Sequence, residues 1–137
     1  MTKTSFVLME QPNGSFRQIY CQSNSSPDIL GAILLNHYFK KECVFDLISL
    51  GDLAWIKHKN QPDIVEVVVA YQRVEEEEIY YNSIDAAISR FRGSGHAYFY
   101  VWLDGKWYYL SRWVKNLSPL TQAVCDHEDF FFDVINN

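Results

Sequence analysis

Cysteine is scarce in this chain, and its spacing suits neither a disulfide framework nor a metal finger. There are three cysteines, Cys21, Cys43 and Cys125, an odd number with no C-x-x-C pair. Reduced thiols in a cytosol fit that pattern better than a secreted, stapled fold. No apolar run approaches the roughly 20 residues that a membrane span needs. Before Glu10 the N-terminal stretch holds an apolar run of only four residues, so no secretory leader is expected. Positive charge is also short, with 12 Lys and Arg against 17 Asp and Glu, a net of −5. The imbalance is concentrated late. Residues 1–70 carry six basic and seven acidic side chains, whereas residues 71–137 carry six and ten. An acidic chain repels phosphate backbones, which argues against direct nucleic-acid binding. The same charge suits a basic surface on a protein partner.

Catalytic motifs are missing too. The chain has no G-x-S-x-G and no glycine-rich phosphate loop; Gly93-Ser94-Gly95 is too short and lacks a following lysine. None of the four histidines has a partner at the i+2 or i+4 spacing of a local metal site. Cys125, Asp126, His127, Glu128 and Asp129 form the one local ligand-like cluster. A surface or structural role weighs above ligation there, so no metal and no cofactor are expected. Cys21, His37 and Asp46 offer a nucleophile, a base and an orienting group, as most chains do, and nothing brings them together. The expectation is therefore a protein that is not an enzyme.

What the chain does have is aromatic mass. Nine Tyr, nine Phe and four Trp make up 16% of 137 residues, within an apolar share of 48%. That length and composition fit a single domain, residues 1–137, with a sizeable core.

Residues 4–10 and 15–21 read as two strands joined by Gln11-Pro12-Asn13-Gly14, a hairpin signal. Ser26 and Pro27 then open a helix expected to run over 28–41, with Ile29, Leu30, Ile33, Leu34, His37 and Tyr38 on one stripe and Lys40 and Lys41 closing its last turn. A shorter helix is expected over Glu42–Leu50, with Val44, Leu47 and Ile48 inward and Gly51 as its left-handed cap. Residues 51–63 read as a connection whose Leu53, Trp55 and Ile56 want cover. Residues 63–72 carry five β-branched side chains and read as a central strand. Asn82 and Ser83 cap a helix from Ile84 to Arg92, ended by Gly93. A second hairpin follows, residues 96–103 and 106–111 around Asp104-Gly105. The tail from Thr121 reads as a short helix with an edge strand, or as an arm that docks on a partner. Together these signals predict an α+β domain: an antiparallel sheet of about five strands, two hairpins plus a central strand, with two to three helices on one face.

Two features are candidate partner contacts. Glu75, Glu76, Glu77 and Glu78 suit a cation site or a mimic of nucleic-acid charge; a solvated loop weighs above both, because consecutive carboxylates fan outward and converge poorly on one ion. In the second hairpin, Tyr98, Tyr100 and Trp102 share one face, and Phe99, Val101 and Leu103 the other. One face must be core. The other either presents Tyr100, Trp102 and Tyr109 as anchors or is covered by further helices. Stacking on single-stranded nucleic acid is a third use, opposed by the sparse Lys106, Arg112 and Lys115. Asp126, Glu128 and Asp129 complete the candidate charged contacts.

Residues 19–53 show a strand ending in Ile19-Tyr20-Cys21, a helix with Gly31 and a final His37-Tyr38, and a short helix ending in Leu47-Ile48-Ser49-Leu50-Gly51-Asp52. Ala70-Tyr71-Gln72-Arg73 and Gly105-Lys106-Trp107-Tyr108 are compatible with the same pattern. This resembles a group of small uncharacterised proteins encoded by phages and prophages. That family has an aromatic-Asp-Gly-Tyr turn before its first helix where this chain has Ser23-Asn24-Ser25-Ser26, so an activity tied to that turn is not implied here. The resemblance implies an accessory protein in the cytoplasm of an infected bacterium. Small size, acidic charge, surplus aromatics and the absence of catalytic motifs add the expectation that it binds and blocks a host defence protein, a CRISPR effector among the candidates, through acidic and aromatic contacts, as a monomer or homodimer. The alternatives are a small enzyme or metal-dependent protein using the Cys125–Asp129 cluster, and a structural or regulatory phage protein.

Overall fold

The computed structural model describes residues 3–59, 63–71, 78–114 and 116–126. The two hairpin signals fold as read. Strand β1 (Ser5–Glu10) pairs antiparallel with β2 (Phe16–Cys21), and β6 (Tyr98–Leu103) pairs antiparallel with β7 (Lys106–Ser111). Asp104 and Gly105 take φ of 54° and 77°, the pair of positive values that a two-residue turn needs to match strand twist. The remaining strands are β3 (Leu53–His58), β4 (Val65–Val69), β5 (Ile79–Tyr81) and the short β8 (Ser118–Pro119).

The sheet is larger than the five antiparallel strands expected, and it is mixed. Its order is β4-β3-β2-β1-β6-β7-β8, with β5 also on β2. The hairpins join through a parallel pairing of β1 with β6, from Ser5 opposite Tyr98 to Met9 opposite Trp102. Turn chemistry specifies pairing inside a hairpin and says nothing about which hairpin lies beside which. Two further corrections concern the middle of the chain. The segment read as a connection contains β3, which gives Leu53 and Ile56 the cover they need. The valine-rich strand expected to be central is β4, at the edge of the sheet among the described residues.

The outer side of β2 is shared. Its first half, Phe16–Gln18, pairs with β5, and its end, Cys21, pairs with Leu53 of β3. Between them the Tyr20 amide has no strand opposite it. A buried unpaired N–H is costly, and Asp52, itself buried, fills the gap by accepting from Tyr20 N at 3.0 Å.

Helices cover both faces, which corrects the one-face arrangement. On one face a π-helical turn, Pro27–Gly31, runs into α1 (Ala32–His37), followed by α2 (Lys41–Ser49). Leu30, Ile33, Leu34, Val44, Leu47 and Ile48 pack there against Val7, Ile19, Tyr98 and Tyr100. On the other face α3 (Ile84–Arg92) lays Ala87 and Phe91 on Phe6, Leu8, Phe16 and Phe99. Ser83 caps α3 as expected, its Oγ accepting from Ala86 N at 3.1 Å. The helix expected over 28–41 stops at His37, and Lys40 and Lys41 become the cap and first residue of α2 instead of a closing turn. Gly51 follows α2 with φ 83°, the left-handed cap expected. Gly31 allows the first helix to approach the sheet: a Cβ there would meet Tyr100 Cε1 at 3.4 Å and Leu120 Cδ1 at 3.5 Å.

Candidate interaction site

Because β1 and β6 run parallel, the turns that follow them emerge at the same end of the sheet. The start of α2 reaches that end as well. A cleft of about 390 Å³ lies between the two turns, with Pro12, Gly14 and Gly105 on its walls and Trp102 and Lys41 beside them. A second hollow of about 410 Å³ continues from it between the first turn and α2, lined by Met9, Pro12, Lys41 and Phe45. Glu10 and Asp104 belong to the first cleft, and Glu42 and Asp46 to the second. Four carboxylates and the ammonium of Lys41 therefore share the lining of the two hollows with Gln11 and the apolar side chains. Phe45 is 52% exposed on the outward side of α2, and Phe39, just before it, is 62% exposed. Large apolar side chains held in water beside a concave surface are what a binding site offers.

The structure relocates the sequence candidates. Tyr100, Trp102 and Tyr109 are buried in the core under α1 and α2, so the expectation that they anchor a partner is corrected. The physical reason is the second helical layer: with α3 on the opposite face, neither face of β6 is left for solvent. Tyr100 donates instead to the Ser25 carbonyl at 2.7 Å. Burial raises its hydroxyl well above the ordinary 10, so it stays a neutral donor. Glu75, Glu76, Glu77, Glu128 and Asp129 lie outside the described residues. Glu78 is exposed and tied down, pairing with Arg17 at 3.0 Å and accepting from Tyr80 Oη at 2.8 Å. That bond is the first cause of a raised Tyr80 hydroxyl. Asp126 is exposed and accepts from Gln122 Nε2 at 2.8 Å.

The described part of the Cys125–Asp129 cluster is closed to chemistry. Cys125 is 1% exposed, and burial, with Asp126 and Asp28 nearby, pushes its thiol up to about 11. A thiol in that state is neither a ready nucleophile nor a ready ligand. Cys21, also buried, is raised by the same desolvation. His96 is held by Thr4, with Nδ1 2.6 Å from Oγ1, and stacks on Tyr20. His37 and His58 come within 5.3 Å, ring centre to ring centre, a pairing that sequence spacing could not show. Among the described residues no group of three or more His, Cys, Asp or Glu is placed to hold a metal ion. No described helix is long and apolar enough to cross a membrane.

Phe39 and Phe45 belong to no motif, and Pro12 and Lys41 read only as turn and helix-end residues, so none of the four is a contact candidate by sequence. Phe45 was nonetheless legible: with Val44, Leu47 and Ile48 facing inward, helical periodicity turns it outward. No family model, curated protein or solved structure matches the chain.

Proposed function

We propose that this chain is a stoichiometric binding protein that acts by occupying a surface of a bacterial partner. One observation carries the reading: Phe45 stands exposed on the wall of an acid-rimmed hollow at the turn end of the sheet, with Phe39 exposed just before the same helix. Aromatic anchors would supply the contact energy, each worth about 2 kcal/mol or more in a desolvated centre. Glu10, Glu42, Asp46 and Asp104 would speed encounter with a basic patch and make that rate fall with salt. The phage-like pattern of residues 19–53 supports a setting in an infected cell and a host defence protein, a CRISPR effector among the candidates, as the partner. The proposed mode of contact is still acidic and aromatic, now assigned to different residues.

The test begins with capture of a partner from host lysate by the purified chain, followed by affinity measurements. Phe45→Ala should weaken binding at least tenfold, and Glu42→Lys with Asp46→Lys should slow association most at low salt. Affinity and association rate unchanged in both variants would remove this surface from the reading. Activity abolished by one Cys or His change, in a folded protein that still bound its partner, would replace the binding reading with a catalytic one.

A further inference from the structure

The strand with the strongest β-branched character occupies an edge. β4 carries Val65, Val67, Val68 and Val69 and pairs only with β3 among the described residues. Edge strands usually carry a lysine, a proline or a bulge that discourages pairing. β4 has neither lysine nor proline, and the register shift beside it lies in β3, between Leu53 and Trp55. Ile64, Val69 and Tyr71, on and next to β4, are three of the exposed large apolar side chains.

The backbone shows which groups face outward. Ala70 N donates to Asp52 O at 3.0 Å, and Ile64 O accepts from Lys59 N at 2.8 Å. Even-numbered residues of this strand therefore turn toward β3. By alternation, Val65, Val67 and Val69 direct their N–H and C=O groups away from the sheet.

We infer that β4 pairs antiparallel with β4 of a second copy about a two-fold axis at Val67, joining two sheets into one. In this register Val65 lies opposite Val69 of the second copy and Val67 opposite its own counterpart. All three outward residues then meet outward residues, which completes about six hydrogen bonds. The side chains agree. Val65 and Val67 pack on the core beneath α1 and α2, while Val69 is 48% exposed. Pairing sets Val65 of the second copy beside Val69, and the valine row crosses the axis unbroken. Glu66 lies on the other face, already near Trp55 Nε1 (3.4 Å) and Lys57 Nζ (4.0 Å), so no unmatched carboxylate is buried. A second copy is the favoured occupant because the strand is self-complementary: valine meets valine at every outward position, as an isologous two-fold contact requires. A strand with central composition thereby becomes central.

The test needs no binding partner. Sedimentation or light scattering over a wide concentration range should show twice the chain mass, falling to once the mass on dilution. Val67→Pro removes an outward N–H that β3 does not use, a substitution an edge position tolerates. It should abolish the dimer with circular dichroism unchanged, and Val69→Lys should weaken it at least tenfold. Under mild oxidation Val67→Cys should cross-link to itself, and Val65→Cys should not, because only position 67 lies on the axis. A chain that stays monomeric at all concentrations would overturn the inference. So would a folded Val67→Pro variant that dimerises normally, or cross-linking of Val65→Cys as fast as of Val67→Cys.

Discussion

Replacing Tyr100 with Phe separates its structural role from a role in binding. Its hydroxyl donates to the Ser25 carbonyl at 2.7 Å. Ser25 Oγ donates to the Cys21 carbonyl at 3.2 Å and is met by Ser5 Oγ at 2.9 Å. Tyr100, Ser25 and Ser5 are all 1% exposed or less. This network ties the loop after β2 to β1 and β6 across the core. Phe preserves the ring and its packing, so the change removes one donor and leaves a buried carbonyl wanting one. That penalty is about 1–3 kcal/mol. With a urea slope of roughly 1–3 kcal/mol per molar, the midpoint should fall by an amount on the order of 1 M, with the slope unchanged. Equilibrium melts followed by circular dichroism and by tryptophan fluorescence should agree. A loss below about 0.5 kcal/mol would show that the Ser25 carbonyl is otherwise solvated and that the loop is not locked to the sheet. The same variant should bind a captured partner with unchanged affinity; weakened binding in a stable protein would restore Tyr100 as a contact residue.

Leu34, on the inward side of α1, is fully buried, and Leu34→Ala should cost about 2–5 kcal/mol in urea melts, with a loss below about 1 kcal/mol showing that the site collapses or was never closed. Iodoacetamide followed by mass spectrometry should label half-buried Cys43 in the folded chain, and Cys21 and Cys125 only after unfolding. Burial raises Cys125 from 9.0 to about 11, so its share of stability is complete below pH 9 and is lost as pH rises toward 11; Cys125→Ala should flatten that alkaline decline. Burial lowers His96 below its ordinary 6.5, so stability is present above that pH and falls as acid protonates the unfolded chain first. His96→Phe, which keeps a ring against Phe6 and Tyr20, should flatten stability between pH 7 and pH 5.

The sequence by itself determined the local elements of this protein. Asp104-Gly105 set one hairpin and Gln11–Gly14 the other, because positive φ and a fixed turn leave few alternatives. Ser83 and Gly93 bounded α3, and the inward stripe of Val44, Leu47 and Ile48 oriented α2. The tertiary structure decided everything that joins elements distant in the chain. The parallel pairing of β1 with β6, the shared edge of β2 and the placement of helices on both faces rest on contacts between segments up to about 90 residues apart. No short-range pattern encodes such contacts, since many arrangements satisfy the same alternation. For that reason the aromatic hairpin read equally as surface or core, and only helices on both faces, α1 and α2 over one and α3 over the other, buried it. For the same reason Phe45 and Lys41 meet Pro12 at a cleft that neither segment announces. The composition of β4 predicted a strand with neighbours on both sides; among the described residues β3 supplies one side, and the inferred second copy would supply the other.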